Sequence, residues 1–449
     1  MNDALSPLDG RYRDSLGDLR QHFSELALMR ERCRVEVAHA LALDPVFGPL
    51  DAGVKEKAEL LLAGFGPAEY QEIKRIEDTL RHDVKACEVF LRERLGLRNP
   101  NRIHFGLTSE DVNNLAYSLC VKGYLEQVQL PLSAGLIGDL AAQAEAWKSV
   151  PFPARTHGQH ATPTTAGKEL SVYVARLLRT HRALKSLKLR GKLNGATGNY
   201  SAFQVAAPAV DWRAYERTFV ESLGFEQNVA TTQIEDHGSL ATYFDLVRAH
   251  NNVILDLCQD MWLYISYGYV VQRTKAGEVG SSTMPHKVNP IRFENAEGNV
   301  QLSNALLSFF SDKLSRSRMQ RDLSESTVMR NIGVALGHHH LASLELRRGL
   351  AMIDLDAPRC AAELSAHPEL LSEAVQSVLR TVRPDDVYTE LKEHTRGKTF
   401  GPDDLARIVA ELPPDVQPRL AGLTPLTYLG DAVRICEEVV RDARAELTR

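Results

Sequence analysis

The reactive side chains of the sequence are concentrated in one polar loop, residues 277–290, with the sequence Gly-Glu-Val-Gly-Ser-Ser-Thr-Met-Pro-His-Lys-Val-Asn-Pro. Two adjacent serines, Ser281 and Ser282, follow a glycine and precede the cation Lys287. Backbone N–H groups in such a loop can bind an anion. A serine can act as a base or as a nucleophile if a cation lowers its pKa. A solvated surface loop is the alternative, and it is the commoner case for an arbitrary Ser-Ser pair.

Helical periodicity predicts the elements that must position this loop. Apolar residues recur at helical intervals within residues 112–144, 244–265 and 296–310, whereas alternating strand-like runs are few. Thr108 predicts a helix start because its side chain can cap the helix that follows. Pro131 is expected to kink or break the first of these segments. The pattern predicts an all-α fold with a central bundle of long helices, whose apolar faces favour an oligomer.

Composition argues against several classes of function. The formal net charge of -5 provides no broad positive field for nucleic acid or for anionic lipid. The uncharged run 261–272 is too short to cross a bilayer, and the first residues lack the features of a secretory signal. The six cysteines are far apart, and the consecutive histidines 338–340 do not share a helix face, so we expect neither disulfides nor a metal site. These features predict a cytoplasmic protein with no nucleic-acid or membrane partner.

The sequence also predicts a division into domains. The first helical domain is expected to end just before Thr108, and a change in composition near Pro358 indicates a further boundary. We therefore predict an N-terminal helical domain over residues 1–107, a central bundle over 108–353 and a C-terminal helical domain over 354–449.

The loop gains a specific interpretation from its resemblance to a known family. Residues 281–290 resemble the signature of the fumarase/aspartase superfamily, whose members eliminate fumarate from a succinyl group attached through nitrogen or oxygen. His286 before Lys287 resembles the version found in adenylosuccinate lyases of the bacterial type. Further matching segments span nearly the whole chain: residues 6–12, 81–86, 108–111, 155–159, 231–235, 320–323, 326–330 and 395–398. Two positions depart from the family pattern, because His160 replaces a usual proline and Arg81 replaces a frequent asparagine.

The resemblance implies a role for each matching residue. Ser281 would be the base that takes a proton from carbon, and His157 would be the acid that protonates the leaving nitrogen. Lys287 and Asn289 would stabilise the charge that develops on the substrate, and Glu294 would partner His157. The remaining residues implied to bind substrate are Arg11, Tyr12, Arg81, His82, Asp83, Thr108, Ser109, Gln233, Ser282, Asn295, Arg321, Ser326, Thr327 and Arg330, of which His82 is also the second histidine of the catalytic site.

The resemblance also implies a reaction and an assembly. The expected reaction is an anti β-elimination that converts adenylosuccinate into AMP and fumarate. The succinyl-aminoimidazole carboxamide ribotide of purine biosynthesis would be a second substrate. No cofactor and no metal are expected. The expected fold has three helical domains, and the expected assembly is a homotetramer whose active sites are shared between subunits.

Three alternatives stay open at this point. Another lyase of the superfamily, such as an argininosuccinate lyase, is disfavoured by His286 and by the segments near residues 9–12 and 82–84. A structural protein on the same fold is disfavoured by the presence of Ser281, Lys287 and His157. A nucleotide sensor would bind adenylosuccinate without releasing fumarate, so an assay for fumarate separates it from the enzyme.

Overall fold

Helices make up most of the protein, as the periodicity predicted, and the all-α class is confirmed. The computed structural model describes residues 3–273, 284, 287–384 and 401–448. The α-helices are α1 (Gly17–Phe23), α2 (Glu25–Ala42), α3 (Asp44–Phe47), α4 (Val54–Ala63), α5 (Pro67–Leu80), α6 (Asp83–Leu95), α7 (Ser109–Tyr124), α8 (Leu130–Ala146), α9 (Ala166–Ser186), α10 (Ser201–Ala206), α11 (Trp212–Ser222), α12 (Gly238–Tyr267), α13 (Ile291–Leu314), α14 (Ser324–Met329), α15 (Ile332–Leu350), α16 (Ala357–Ser365), α17 (Ser372–Arg380), α18 (Pro402–Glu411) and α19 (Ala432–Leu447).

The strands are only two or three residues long and form isolated pairs. They are β1 (Pro151–Phe152), β2 (Arg155–Thr156), β3 (Gln159–His160), β4 (Thr164–Thr165), β5 (Arg190–Gly191), β6 (Glu226–Gln227), β7 (Val270–Gln272) and β8 (Ile353–Leu355). Strands β1 and β4, β2 and β3, and β7 and β8 pair antiparallel, whereas β5 and β6 pair parallel. Each pair fixes the path of a connection between helices rather than forming a sheet.

Two compact units can be distinguished, and each is assembled from separate parts of the sequence. The first unit contains Met1–Ser133, Thr180–Asn252 and Gly298–Leu344, and the second contains Ala134–Arg179, Val253–Glu297 and Glu345–Arg449. The three-domain division at residues 107 and 353 stays a prediction.

The first unit has a large apolar core around α2, α6 and α7. Helix α7 contributes Val112, Leu115 and Tyr124, all buried, and Phe244 and Phe310 of α12 and α13 belong to the same cluster. The second unit has smaller cores. One cluster surrounds Phe152 and Tyr269, and another lies between α17 and the residues near Leu420. Burial of these apolar faces, rather than helix propensity, stabilises helices of this length.

The helical pattern changes just before Pro131, the residue expected to kink or break its segment. Residues Leu125–Gln129 form a π-helical turn between α7 and α8, and the N–H of Leu130 bonds to the carbonyl of Leu125. Proline lacks an N–H and clashes with the preceding turn of a regular α-helix. The wider turn accommodates it while the chain stays helical.

Within the described ranges, no helix combines the length and the apolar character needed to cross a bilayer. All six cysteines are buried free thiols. Burial raises the pKa of Cys33 well above its ordinary value and that of Cys360 to about 12. Such thiols are poor nucleophiles, because the thiolate is the reactive form.

Candidate active site

His157 lies in the two-residue turn of a β-hairpin in the second unit. Strands β2 and β3 pair Arg155 with His160 and Thr156 with Gln159, which leaves His157 and Gly158 as the turn. Their φ angles of 52° and 75° place both in the left-handed region. Two left-handed residues suit the turn that matches the twist of a hairpin, and histidine adopts this region more readily than most side chains.

The side chain of His157 is exposed, and among the described residues the structure gives it no hydrogen bond or ion pair. The turn therefore leaves the imidazole exposed to solvent at the tip of the hairpin. A histidine held in this way is available to exchange a proton with a bound molecule.

The part of the predicted loop that the structure describes, residues 284 and 287–290, precedes α13. Ser281 and Ser282 lie outside the described residues, as does His286. Lys287 is exposed, and its N–H bonds to the carbonyl of Met284 at 3.0 Å. Asn289 is half-buried just ahead of the helix.

Glu294, the expected partner of His157, is in the first turn of α13 with Asn295 beside it. Its Oε1 accepts a hydrogen bond of 3.2 Å from the indole of Trp262. Among the described residues of one chain, no hydrogen bond joins Glu294 to His157, so the partnership stays a prediction.

In the first unit, Asp83 lies between two arginines. Its Oδ2 is 2.9 Å from Arg32 and 2.9 Å from Arg330. Burial alone would raise the pKa of Asp83, but the charges of Arg32 and Arg330 and the Val84 N–H lower it below its ordinary value. The carboxylate therefore stays ionised and holds both guanidinium groups in place.

His82 immediately precedes Asp83 and caps α6. Its Nδ1 accepts a hydrogen bond from the N–H of Lys85 at 3.2 Å. In a neutral imidazole the proton must then be on Nε2, which can donate to an anionic group. Arg81, the departure from the family pattern, is exposed with a left-handed φ of 55° at the end of α5.

A second group in the first unit centres on Arg321. Its guanidinium bonds to Glu110 at 2.8 Å, to Glu325 at 3.0 Å and to Gln233 at 3.2 Å. Burial raises the pKa of Glu110 and of Glu325 above the ordinary value, although Arg321 opposes both shifts. Because a guanidinium has five N–H donors, two remain for a ligand after these three bonds.

Helix α7 begins as predicted, with Thr108 as its N-cap. The N–H of Thr108 bonds to Asp111 at 2.8 Å, and Ser109 is the first helical residue. Asp111 also accepts hydrogen bonds from the backbone N–H groups of Asn194 and Gly195. The start of α7 is thereby connected to the loop whose Ala196 carbonyl accepts a bond from Gln233.

The cation that neutralises Asp111 is Lys192, and both side chains are fully buried. Lys192 Nζ is 3.0 Å from Asp111 Oδ1 and donates to the carbonyl of Gly195 at 3.0 Å. The buried pair therefore supports the start of α7, where the predicted substrate residues Thr108 and Ser109 lie. No motif in the sequence distinguished Lys192 from a surface lysine.

We predict that Lys192→Met lowers the free energy of unfolding by about 3–5 kcal/mol, because it leaves the Asp111 carboxylate buried without a counter-charge. Chemical denaturation of the purified variant measures this loss. The control is Lys122→Met, which removes a partly exposed ammonium 3.7 Å from Glu126 and should cost about 0–1 kcal/mol. Similar losses in the two variants would contradict a structural role for the buried pair.

The other predicted residues occupy partly exposed positions in the first unit. Tyr12 packs against Leu8, Leu16 and Leu341, and the guanidinium of Arg11 is 5.9 Å from its ring centroid. Ser326 and Thr327 lie on α14, half-buried and exposed respectively. Thr327 and Arg11 are therefore exposed to solvent, whereas Ser326 is half-buried.

Comparison with known proteins identifies the family. A lyase family model matches residues 53–302, and an adenylosuccinate lyase C-terminal model matches residues 317–429. The adenylosuccinate lyase of Haemophilus influenzae is 42% identical over 97% of this chain and 98% of the relative. That of Escherichia coli is 41% identical with the same coverage. The chain belongs to the adenylosuccinate lyase family.

Solved structures support the same fold at lower sequence similarity. A fumarate lyase from Mesorhizobium sp. BNC1 matches with a TM-score of 0.74 and 17% identity, over 94% of this chain and 97% of that structure. A 3-carboxy-cis,cis-muconate lactonizing enzyme from Pseudomonas putida matches with a TM-score of 0.74 and 21% identity, over 96% and 97%. At these identities the likeness concerns the fold alone.

For this member of the adenylosuccinate lyase family, the described candidates form two groups. In the first unit, direct bonds join Asp83 to Arg330 and Gln233 to Arg321. Sequence reasoning did not single out Glu110 and Glu325, which bond to Arg321, or Arg32, which shares the Asp83 carboxylate with Arg330. In the second unit, His157 lies on its hairpin and Lys287, Asn289, Glu294 and Asn295 lie at the start of α13. The first group supplies cations for anionic oxygens, and the second includes His157, which can transfer a proton.

Proposed function

We propose that the protein catalyses the elimination of fumarate from adenylosuccinate, giving AMP, and from the succinyl-aminoimidazole carboxamide ribotide. The observation that carries this proposal is the similarity to enzymes named adenylosuccinate lyase, at 41–42% identity over 97% of the chain. The presence of Ser281, Lys287 and His157 favours an active enzyme over a structural protein or a sensor.

The proposed reaction requires an acid and a base on opposite sides of one substrate bond. Ser281, as the alkoxide that a neighbouring cation stabilises, removes a proton from the carbon beside a carboxylate. The electron pair of the broken carbon–hydrogen bond forms the carbon–carbon double bond. The bond from the next carbon to nitrogen breaks, and the nitrogen takes the proton of the His157 imidazolium. Lys287 and Asn289 would stabilise negative charge as it accumulates on the carboxylate.

Arginines suit the binding of this substrate, which carries a phosphate and two carboxylates. The guanidinium group forms paired, charge-assisted hydrogen bonds with such oxygens. Arg330 and Arg321 are already oriented by Asp83 and Glu110, which reduces the entropy lost on binding. Ser326 and the start of α7 add hydroxyl and N–H donors for an anion.

We also propose that the active enzyme is a cytoplasmic homotetramer with active sites shared between subunits. The family resemblance supports this assembly, and exposed apolar side chains on the long helices agree with it: Trp262 and Leu263 on α12, and Leu302 and Phe309 on α13. Sedimentation velocity measures the mass directly. A monomer that retains full activity would contradict the shared site.

The decisive experiment incubates the purified protein with adenylosuccinate and follows AMP and fumarate. We expect both products in equal amounts, without added metal or cofactor. Parallel incubation with argininosuccinate should give no arginine. Release of arginine would indicate the other lyase, whereas tight binding of adenylosuccinate without fumarate would indicate a sensor.

A further inference from the structure

The hairpin that carries His157 is held at its open end by a single carboxylate oxygen. Oε1 of Glu363, on α16, lies 2.6 Å from Arg155, 2.8 Å from His160 and 2.7 Å from the hydroxyl of Tyr269. Arg155 and His160 are the paired outer residues of the hairpin, and Tyr269 directly precedes β7. Both strands of the hairpin are therefore fixed to α16 through one atom. We refer to Arg155, His160, Tyr269 and Glu363 as the Glu363 cluster.

Arg155 extends this cluster to the turn itself. Its Nη1 donates to the carbonyl of Gly158 at 3.1 Å, while Nη2 reaches Tyr269 at 3.1 Å as well as Glu363. The guanidinium also lies over the ring of Tyr267, with its carbon 4.7 Å from the centroid. One side chain thus connects the carboxylate of Glu363 to the peptide group that follows Gly158, the second residue of the turn.

His160 completes the arrangement from the other strand. An ionised carboxylate is a stronger hydrogen-bond acceptor than a neutral group. We therefore place the proton of His160 on Nε2, which donates a hydrogen bond to Glu363. The ring of His367 packs against the ring of His160, with centroids 3.8 Å apart and ring planes tilted by 31°. Burial would raise the pKa of Glu363, but the bonds from His160 and Tyr269 and the charge of Arg155 lower it below its ordinary value.

We propose that Glu363 is a positioning residue, and that through Arg155 and His160 it sets the orientation in which His157 meets the substrate. The inference rests on the proposed function, in which His157 protonates the leaving nitrogen. A two-residue turn has no internal support beyond its own strands. The orientation of the turn therefore depends on the contacts that hold the two strands at the end of the hairpin opposite the turn. A small displacement of a proton donor can cost about 10²-fold in rate.

The primary test compares steady-state kinetics of Glu363→Ala with the wild type. We expect kcat for fumarate release to fall by about 10–100-fold. KM should change by less than about threefold, because Glu363 itself touches no substrate. Glu363→Gln retains an acceptor oxygen for Arg155 and Tyr269 and should recover most of the lost kcat. A kcat for Glu363→Ala within about twofold of wild type would overturn the inference.

A matched control removes another glutamate of the same unit. Glu437 pairs with Lys148 at 2.6 Å and is 43% exposed. Glu437→Ala removes the same side-chain atoms without touching the hairpin, so its kcat should equal that of the wild type. An equal fall in both variants would overturn the specific role of Glu363.

A double variant tests whether Glu363 acts through His157. If it does, adding Glu363→Ala to His157→Asn should cost no further activity, because there is no acid left to orient. A further 10-fold loss in the double variant would show an independent effect and would overturn the inference.

Hydrogen exchange separates this inference from the proposed function. Peptides that contain residues 155–160 should exchange about 10-fold faster or more in Glu363→Ala than in the wild type or in Glu437→Ala, because the hairpin loses its anchor. This measurement needs no substrate. Absence of fumarate with the wild type would reject the proposed function alone, whereas unchanged exchange would reject the anchoring role of Glu363.

Discussion

His157→Asn is expected to lower kcat for fumarate release by about 10²–10⁴-fold, the range for loss of a positioned acid. Asparagine is the appropriate replacement because it tolerates the left-handed φ of 52° that the turn imposes on residue 157. Alanine would add backbone strain to the loss of the proton donor. Because the side chain is exposed, the unfolding midpoint should stay within about 1 °C of wild type, as for surface substitutions in general.

The pH dependence of the same variant tests the assigned role. An acid must be protonated to act, so loss of the acid at residue 157 should change the pH profile of kcat. The variant should lack the limb of the profile that depends on this group in the wild type. An unchanged pH profile, or turnover close to wild type, would reject His157 as the donor.

Local chemistry explains which parts of the fold the sequence could predict. Thr108 marks a helix start because N-cap preference depends on the residue and its next few neighbours. The long segments were recognisable because buried residues such as Phe244, Val247 and Leu257 recur on one face of α12. Both signals are contained in short windows of sequence and need no knowledge of distant partners.

The side-chain clusters carry no comparable signal. Arg330 and Asp83 are 247 residues apart, and Arg155 and Glu363 are 208 residues apart. Their charges would look the same in the sequence if each were paired with water or with a helix neighbour. Only the tertiary fold selects which carboxylate fixes which arginine.

The hairpin that carries His157 shows the same difference between local signals, which the sequence contains, and tertiary contacts, which it does not reveal. Hairpin prediction relies on Asn-Gly or Asp-Gly turns, and residues 155–165 contain neither dipeptide. His157 and Gly158 can both adopt left-handed conformations because both residue types tolerate positive φ. The Glu363 cluster holds the two strands together at the opposite end of the hairpin. The family resemblance identified His157, but its exposed position and its support come from the structure.

Ser281→Ala is the second substitution with a large expected effect. We expect kcat to fall by about 10²–10⁴-fold or more, because alanine cannot accept the proton that leaves carbon. The test follows fumarate release with adenylosuccinate and with a substrate that carries deuterium at the reacting carbon. In the variant, breaking the carbon–hydrogen bond should limit the rate, so the isotope effect on kcat should increase.

The adjacent serine provides a control that is matched in size, charge and position. Ser282 is expected to bind substrate rather than to take the proton, so Ser282→Ala should raise KM more than it lowers kcat. The two variants remove the same hydroxyl from neighbouring residues of one loop, and any general disturbance of that loop should affect both alike. A larger loss of kcat in Ser282→Ala would transfer the role of base to the second serine. Equal losses, with unchanged isotope effects, would indicate that neither hydroxyl accepts the proton and that the base lies elsewhere in the site.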